Sequence, residues 1–161
     1  MTGRAWVYGD SIDTDVLAPG IYFKLTMEEA SKHTLEAVDS DFAPNVRKGD
    51  IFVAGKNLGL GSAREQAPFA LKTLGIDFLL AKSFARIFYR NAFNVGLPAL
   101  FFPQADEIFM GDQVDVDIRT GKVTNLTTGK FYEVSPIPPH LLAMIEDGGL
   151  MPHLKKKLAA S

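Results

Sequence analysis

The stretch 51-IFVAGKNLGLGSAREQAPFALKTLGIDFLLA-81 decides the fold, because it holds a strand, a glycine loop, a helix and a second strand in that order. Both ends of the stretch are short apolar runs of the kind that form buried strands. Between them, Pro68 suits the first turn of a helix over about 67–74, and Gly75 suits its C-terminal end. This succession predicts a βαβ unit with parallel strands.

The rest of the chain extends the α/β pattern on both sides of this unit. Thr26 and Glu29 have the spacing of a helix N-cap with its capping box, and Ser83 is a candidate N-cap for a later helix. The C-terminal third predicts a β-hairpin or meander, then a helix that stops at Gly148 and Gly149 before a basic tail. The predicted strands are 4–10, 51–55, 76–81, 98–102, 114–118 and 130–134, and the predicted helices are 26–38, 67–74, 83–96 and one that begins at 139.

Length and composition predict one soluble globular domain over residues 1–161. A chain of this size buries roughly 70% of its unfolded surface, so it forms a core without disulfides or metals. The net charge of −2 and the isoelectric point of about 5.9 argue against nucleic acid and anionic membranes as general partners. No segment has the apolar length of a signal peptide or a membrane span, so we expect a cytoplasmic protein.

The sequence contains no cysteine. Disulfides, thiol nucleophiles and thiolate metal sites are therefore excluded in this chain. An iron–sulfur cluster needs cysteine ligands, so this polypeptide alone cannot hold one. His33, His140 and His153 are scattered without metal-ligand spacing, and we assign them no chemistry.

The glycine loop is the strongest candidate for a binding site. Gly59 and Gly61 allow the backbone to take positive φ and to approach a ligand closely, and the start of a helix attracts anions. Ser62 adds a hydroxyl, and Arg64 adds a planar guanidinium that can hold a carboxylate by two hydrogen bonds. The loop lacks the GxGxxG pattern and the lysine of a P-loop, so a nucleotide is not the expected ligand.

A purely structural role for Ser62 is the alternative, because Ser62 and Glu65 have the spacing of a capping box. Under that alternative Pro68 falls in the second helical turn, where its missing N–H costs a hydrogen bond. A helix that begins nearer Pro68 leaves Ser62 and Arg64 on the loop, free for a ligand. The residues alone leave both interpretations open.

Two further places carry polar residues that could bind a ligand, and a third carries a pair of arginines. Asp13 and Asp15 lie in a turn and could bind a cation or orient a catalytic group, although hydrogen bonding to the turn backbone is their commoner role. Lys24, isolated between apolar residues, could bind a carboxylate or could simply be solvated. Arg86 and Arg90 lie four residues apart and predict a basic, solvated edge on their helix.

Three motifs occur together in one order: 9-GDSIDTDVLAPGIYF-23, 49-GDIFVAGKNLGLGSARE-65 and 81-AKSFARIFYRNAFNVGLP-98. Together they closely resemble the small subunits of the 3-isopropylmalate dehydratase family, which are detached swivel domains of the aconitase superfamily. The resemblance covers nearly the whole chain. It implies an α/β fold, a swivelling β/β/α domain of the aconitase C-terminal type with a parallel core sheet and an antiparallel layer.

The resemblance also implies a reaction and a partner. Family members are hydro-lyases that move a hydroxyl between adjacent carbons of a di- or tricarboxylate by dehydration and rehydration, and the 3-isopropylmalate enzymes serve leucine biosynthesis. A large subunit carries a [4Fe-4S] cluster on three cysteines, and the small subunit closes over it. This chain would then hold no metal itself and would be active only in a heterodimer or heterotetramer with the large subunit.

Several positions acquire roles by similarity to the family. Ser62 matches the catalytic serine, which as an alkoxide removes a proton from the carbon next to a carboxylate. Arg64 matches the arginine that binds the substrate carboxylate, and with the loop N–H groups at Gly61 it would supply the cationic surrounding that an alkoxide needs. Asp15 matches an active-site aspartate after the first strand. Lys24 lies in the loop where the family places its substrate-selecting contacts.

The loop departs from the family pattern at two positions. The family usually reads GSSREHAP, whereas residues 61–68 read GSAREQAP. Ala63, which we place among the substrate-binding positions, lacks the usual hydroxyl, and Gln66 cannot titrate as the usual histidine can. These changes indicate either a different hydroxyacid or a weakened activity.

The leading hypothesis is therefore a small subunit of the 3-isopropylmalate dehydratase type, with homocitrate or another substituted malate as the alternative substrate. A non-catalytic anion-binding module that needs no partner is the rival from a different class. A degenerate paralogue that binds the large subunit without turnover is the third hypothesis. The first and third require a large subunit with three cluster cysteines, and the module requires only affinity of the isolated chain for an anion.

Overall fold

One seven-stranded sheet forms the centre of the protein, in a computed structural model that describes residues 2–160. Its strands are ordered β4-β3-β2-β1-β5-β6-β7. The strands are β1 (Thr2–Val7), β2 (Ile51–Ala54), β3 (Phe78–Ala81), β4 (Ala99–Phe101), β5 (Gln113–Asp117), β6 (Lys122–Asn125) and β7 (Phe131–Glu133). The α-helices are α1 (Thr14–Leu17), α2 (Met27–Ala30), α3 (Phe42–Asn45), α4 (Gln66–Leu74), α5 (Arg86–Asn94), α6 (Pro139–Glu146) and α7 (Leu150–Ala160).

The parallel half of the sheet contains β1 to β4. β2 pairs in parallel with both β1 and β3, and β3 pairs in parallel with β4. Every residue of β2 and β3 is buried, which is the pattern of strands covered on both faces. The βαβ unit predicted for residues 51–81 is confirmed.

β1 joins the parallel half to the antiparallel half. Its first residues, Thr2–Arg4, pair antiparallel with β5, and its last residues, Ala5–Val7, pair parallel with β2. β5, β6 and β7 then continue as an antiparallel meander. The predicted α/β fold with a parallel core and antiparallel strands is confirmed, and the two parts belong to one continuous sheet.

Helix α4 begins and ends close to the predicted positions. Its N-cap is Glu65, without a side-chain capping bond, and its C-cap is Gly75, which has a φ of 112°. Pro68 therefore lies in the first turn, where a missing N–H is tolerated. Because the helix begins after Glu65, the capping-box interpretation of Ser62 is wrong, and Ser62 lies on the loop.

The helix predicted over 26–38 is correct only in its first turn. Thr26 caps α2 as predicted, with its side chain accepting a backbone N–H. A 3-10 turn over Ser31–His33 follows, and Leu35 then takes a φ of 62°. Leu35 is fully buried, and its N–H donates to the carbonyl oxygen of Val16 at 3.0 Å. This contact with α1 redirects the chain and ends the helical pattern.

Ser83 does not cap the second crossover helix. Helix α5 begins at Arg86 with Ala85 as its N-cap, and the Ser83 hydroxyl instead accepts the backbone N–H of Asn57 at 2.9 Å. Ser83 thereby ties the loop after β3 to the loop after β2. Because Ser83 bonds to Asn57 and does not cap α5, the loop between β3 and α5 is longer than predicted, and the start of α5 lies beside the glycine loop.

The C-terminal third contains more regular structure than the sequence predicts. β6 completes the meander between β5 and β7, and the basic tail is the helix α7. Helix α6 ends just before Gly148 and Gly149, as predicted. Within residues 2–160 no helix is long and apolar enough to cross a membrane.

The buried apolar side chains form one cluster that includes strands β1 to β6 and helices α4 and α5. α4 packs against α1, α2 and α5, and α5 packs against α6 and α7. The crossover helices thus fix the loops that precede them against the carboxyl ends of the parallel strands. That residues 1–161 form one domain stays a prediction.

Candidate active site

Three loops meet at the carboxyl ends of β1, β2 and β3. On one side, Gly59 in the loop after β2 donates its N–H to the carbonyl oxygen of Ile12 at 2.8 Å. On the other side, Ala85 donates its N–H to the carbonyl oxygen of Leu58 at 2.9 Å. Ligands of open α/β sheets bind beyond the carboxyl ends of the parallel strands, so this junction is where a site is expected.

Gly59 fixes the glycine loop against helix α5. Its φ is 85°, and a Cβ atom built there would lie 2.0 Å from Cγ of Phe88. Only glycine satisfies both the left-handed backbone and this close approach. The loop therefore has one well-defined path from Gly59 to α4, and Gly61 and Ser62 lie on its exposed part.

Ser62 carries a hydroxyl that is available to a ligand. Its side chain is exposed, and none of residues 2–160 forms a hydrogen bond with its oxygen. Ser62, Ala63 and Arg64 line one side of a groove of about 220 Å³, and Arg86 and Phe88 of α5 line the other. The groove therefore combines a hydroxyl with two arginine residues.

Arg64 is held in place along one edge of its guanidinium group. Its Nη1 donates to Oδ1 of Asp15 at 2.7 Å and to the carbonyl oxygen of Ala18 at 3.1 Å. The ring of Phe23 covers the guanidinium, with its centroid 5.0 Å from Cζ. The Arg64 side chain is 22% exposed, so the group is largely packed yet still reaches solvent.

The other edge of the Arg64 guanidinium is free to bind a ligand. Both hydrogens of Nη1 point at protein acceptors, and within residues 2–160 Nε and Nη2 have no hydrogen-bond partner. An Nε–Nη2 edge matches the spacing of the two oxygens of a carboxylate. Arg64 can therefore hold a substrate carboxylate by two hydrogen bonds while Asp15 and Ala18 keep it oriented.

Asp15 is ionised where it accepts the hydrogen bond from Arg64. The hydrogen bond from Arg64, followed by the backbone N–H of Gly20 at 3.2 Å, lowers the pKa of the Asp15 carboxyl below its ordinary value of 3.8. Asp15 is 68% exposed, yet both contacts engage the same oxygen, Oδ1. At neutral pH it is an ionised acceptor that orients Arg64, and it is not a proton donor.

The neighbouring residue Asp13 has the structural role that is commoner for such turns. Its carboxylate accepts the backbone N–H of Val16 at 2.8 Å and caps α1. That contact leaves Asp15 as the member of the pair that faces Arg64. Of the two aspartates predicted as candidates, the structure brings only Asp15 to Arg64.

The segment after α1 borders Arg64 with mostly apolar side chains. Tyr22, Phe23 and Leu25 line a small apolar cavity together with Gln66, the first residue of α4. Lys24 is exposed and has no ion pair with any of residues 2–160. Gln66, one of the two departures in the loop, thus faces the apolar segment.

Arg86 and Phe23 belong to the site, although the sequence analysis gave neither of them a role in it. Arg86 was predicted to belong to a solvated basic edge, but it lines the groove with Ser62. The signal that could have found it is its position at the start of the helix after β3, which follows the carboxyl end of a parallel strand. Phe23 carries no such signal, because its contact with Arg64 joins distant parts of the chain.

A metal site does not occur in the part of the chain that the structure describes. Residues 2–160 contain no group of three or more His, Cys, Asp or Glu side chains placed to hold a metal ion. Together with the absence of cysteine from the sequence, this donor set does not fit an iron–sulfur cluster.

Comparison with known proteins identifies the family of this chain. Residues 12–105 match the family model of the aconitase C-terminal domain. The chain belongs to the aconitase C-terminal domain family. One relative of this family is the 3-isopropylmalate dehydratase small subunit 1 of Thermotoga maritima, which is 53% identical over 96% of this chain and 94% of its own length.

Two further proteins, one found by sequence and one by structure, are similar to this chain over nearly its whole length. The methanogen homoaconitase small subunit of Methanothermobacter thermautotrophicus is 48% identical over 97% of this chain and 91% of its own length. The crystal structure of 3-isopropylmalate dehydratase from Methanocaldococcus jannaschii superimposes with a TM-score of 0.94 at 40% identity, covering 99% of this chain and 95% of the other. The family and the aconitase-type fold that the three motifs predict are confirmed.

Proposed function

We propose that this protein is the small subunit of a 3-isopropylmalate dehydratase, a hydro-lyase that isomerises 2- and 3-isopropylmalate by dehydration and rehydration. The observation that carries the proposal is a groove lined by both Ser62, whose hydroxyl has no hydrogen-bond partner among residues 2–160, and Arg64, whose Nε and Nη2 are likewise unpaired there. The names of the relatives support the same activity. Turnover requires the large subunit, and the natural location that we propose is the cytoplasm.

Arg64 binds one carboxylate of the substrate. Its Nε and Nη2 donate two parallel hydrogen bonds, and Asp15 and Ala18 prevent the guanidinium from turning away. Phe23 shields one face of the group from water, which strengthens the charge–charge attraction. Because Ser62 and Arg64 line the same groove, a carboxylate bound by Arg64 would bring its neighbouring carbon to the wall that carries Ser62.

Ser62 acts as the base in the dehydration step. As an alkoxide, its Oγ takes the proton from the carbon next to the bound carboxylate and becomes a neutral hydroxyl, and the electron pair of that C–H bond forms the double bond. The C–O bond of the neighbouring carbon breaks, and its oxygen leaves as hydroxide, a departure that the Lewis-acidic cluster of the partner would assist. A serine alkoxide is unfavourable at neutral pH, so it needs positive charge nearby. Arg64 and Arg86 line the same groove and supply that charge, as do the N–H groups of the loop at Gly61.

Asp15 contributes as the residue that positions Arg64. Its carboxylate fixes Nη1, and its lowered pKa keeps it charged across the physiological range. Direct participation of Asp15 in catalysis, implied by the resemblance, stays a prediction. Loss of this carboxylate would free the guanidinium to rotate, and the bidentate contact with substrate would weaken.

The partner in this proposal is a large subunit that holds a [4Fe-4S] cluster. The chain itself has no cysteine and no metal-binding group in its described part, so the cluster belongs to the partner. The exposed position of Ser62 and Ala63, next to the partly buried Arg64, is consistent with a site that a second subunit completes. The assembly is a heterodimer or a heterotetramer.

Substrate choice depends on the segment beside Arg64. Phe23 and the apolar cavity next to it suit an alkyl group such as isopropyl, whereas Lys24 would suit the additional carboxylate of homocitrate. Ala63 lines the groove without a hydroxyl, so it offers a methyl group where a polar contact is usual in the family. These features favour isopropylmalate, with homocitrate or another substituted malate as the second candidate in view of the homoaconitase relative.

Anaerobic co-expression with the large subunit tests the proposal. We expect the purified pair, and neither chain alone, to convert 3-isopropylmalate with the absorbance of an unsaturated intermediate. Homocitrate, citrate and methyl-substituted malates in the same assay identify the preferred substrate. A pair that forms a stable complex without turnover on any of these compounds would contradict the catalytic role and indicate a degenerate paralogue. Absence of any complex, with anion binding by the isolated chain, would indicate a binding module.

A further inference from the structure

Tyr22, His33 and Glu36 form a compact polar cluster next to the candidate site. The Tyr22 hydroxyl donates to Oε1 of Glu36 at 2.7 Å, and Nδ1 of His33 lies 2.8 Å from Oε2 of the same carboxylate. The Tyr22 and His33 rings stack with centroids 3.7 Å apart and planes 9° from parallel. One carboxylate therefore joins two stacked rings from segments 11 residues apart in the sequence.

This cluster is connected to Arg64 through the next residue. Phe23 follows Tyr22 directly, and its ring covers the Arg64 guanidinium. The 3-10 turn Gly20–Tyr22 is attached at its start, because the Gly20 N–H donates to the Asp15 carboxylate that also binds Arg64. The same short turn is thus tied to the site at Gly20 and to the Glu36 cluster at Tyr22.

The turn has little else to hold it. Ile21 is 83% exposed and Phe23 is 51% exposed, so burial of these two side chains contributes little. A single 3-10 turn is not stable by itself, since its hydrogen-bond geometry is poor. Side-chain contacts to neighbouring elements have to select its conformation, and the Tyr22 cluster makes two such contacts.

We propose that Glu36 and His33 are positioning residues of the active site, which hold Tyr22 and thereby keep Phe23 packed on Arg64. The contact geometry of the cluster carries this inference, and its kinetic consequence rests on the proposed function. Glu36 and His33 do not touch the reacting atoms in this account. They act through Tyr22 and Phe23, which set how firmly the carboxylate-binding guanidinium is shielded and oriented.

The charge state of Glu36 supports this role. The hydrogen bond from Tyr22, followed by the contact with His33, lowers the pKa of the Glu36 carboxyl below its ordinary value of 4.5. Glu36 is therefore an ionised acceptor at neutral pH. A charged acceptor forms stronger hydrogen bonds than a neutral one, so the Tyr22 contact is a firm anchor for an exposed turn.

Kinetics of the assembled enzyme give the first test. Tyr22→Phe keeps the ring but loses the hydroxyl, and Glu36→Ala loses both contacts. We expect each variant to raise KM about five-fold, which is the change in a binding constant that the loss of one hydrogen bond typically causes. The value of kcat should stay within about two-fold of wild type. Glu36→Gln keeps a neutral acceptor for Tyr22 and should recover part of the loss. Tyr132→Phe is the matched control, because Tyr132 also donates to an exposed glutamate, Glu107, at 3.2 Å, away from Arg64.

Nuclear magnetic resonance of the isolated full chain gives a second test that needs no activity. The Phe23 ring current should shift the side-chain protons of Arg64 upfield, and Glu36→Ala should remove that shift while Tyr132→Phe retains it. An Arg64 spectrum unchanged by Glu36→Ala would overturn the positioning role. A changed Arg64 spectrum with an unaltered KM would also overturn the positioning role. If the wild-type chain and its large subunit show no turnover together, the proposed function is contradicted, and the spectra alone then decide this inference.

Discussion

Gly59→Ala should destabilise the protein strongly, because the added methyl group has no space. Its Cβ would lie 2.0 Å from Cγ and 2.3 Å from Cβ of Phe88, and the backbone φ is 85°. A left-handed backbone costs a non-glycine residue about 1–2 kcal/mol, and overpacking of a well-packed contact costs about 1–3 kcal/mol. We therefore expect the free energy of unfolding to fall by about 2–5 kcal/mol.

Gly129→Ala is the matched control for this prediction. Gly129 has a φ of 80°, close to that of Gly59, but a Cβ there would have no atom within 4 Å. Its substitution should cost only the backbone part, about 1–2 kcal/mol. The difference between the two variants then measures the contact of the glycine loop with Phe88.

Urea unfolding of the isolated chain provides the measurement, with Phe88→Ala as the second member of a double-mutant cycle. The cost of Gly59→Ala should shrink toward that of Gly129→Ala when the Phe88 ring is absent. In the assembled enzyme, Gly59→Ala should also lower turnover well below the unfolding temperature, since the same contact places Ser62. Equal costs for the two glycine variants would refute the claim that α5 fixes the loop.

Two further predictions concern Arg64 and its partner. Arg64→Lys should raise KM about 10- to 100-fold, because an ammonium group cannot replace the two parallel hydrogen bonds to a carboxylate. Steady-state kinetics of the complex with the large subunit measure this KM. An unchanged KM would show that Arg64 does not bind substrate. Asp15→Asn should lower the melting temperature at neutral pH. Because the folded pKa of Asp15 lies below 3.8, its contribution is complete above that pH and is lost as the pH falls below it. The difference in melting temperature between wild type and Asp15→Asn should therefore be constant from neutral pH to about pH 5 and should shrink in stronger acid; a difference that already declines between neutral pH and about pH 5 would contradict the Asp15–Arg64 pair.

Local signals in the sequence were sufficient for the parallel half of the fold. The apolar runs of β2 and β3, Pro68 in the first turn of α4 and Gly75 after it each have one conformational meaning, and the structure confirms them. The same stretch carried Ser62 and Arg64 on its loop. The fold could be predicted here because neighbouring residues determine it, while the chemistry of Ser62 and Arg64 stays a prediction.

Contacts between distant segments explain the features that sequence reasoning missed. Leu35 leaves the helical path because its N–H and side chain are used by α1 and the core. Ser83 bonds Asn57 in another loop and therefore does not cap α5. β6 has only four residues, and of its two buried positions one is the polar Asn125, so its sequence lacks the alternation of apolar and polar residues that predicts a strand.

The surroundings of Arg64 belong to the same class of long-range effects. Asp15 was identified through the family motif, but its partnership with Arg64 spans 49 residues of sequence. The contacts of Phe23 with Arg64 and of Tyr22 with Glu36 likewise become visible only once the chain is folded. The sequence thus indicates the groups to which we assign the chemistry, whereas the structure is needed to see what orients them.

The turnover number of Ser62→Ala in complex with the large subunit tests the central claim most directly. A general base typically contributes about 10²–10⁴-fold to a rate, so we expect a loss in that range with unchanged complex formation. Ser83→Ala, which removes another hydroxyl at the same junction of loops, should retain most of the turnover. A Ser62→Ala complex within a few-fold of wild type would contradict the proposal that this hydroxyl takes the substrate proton.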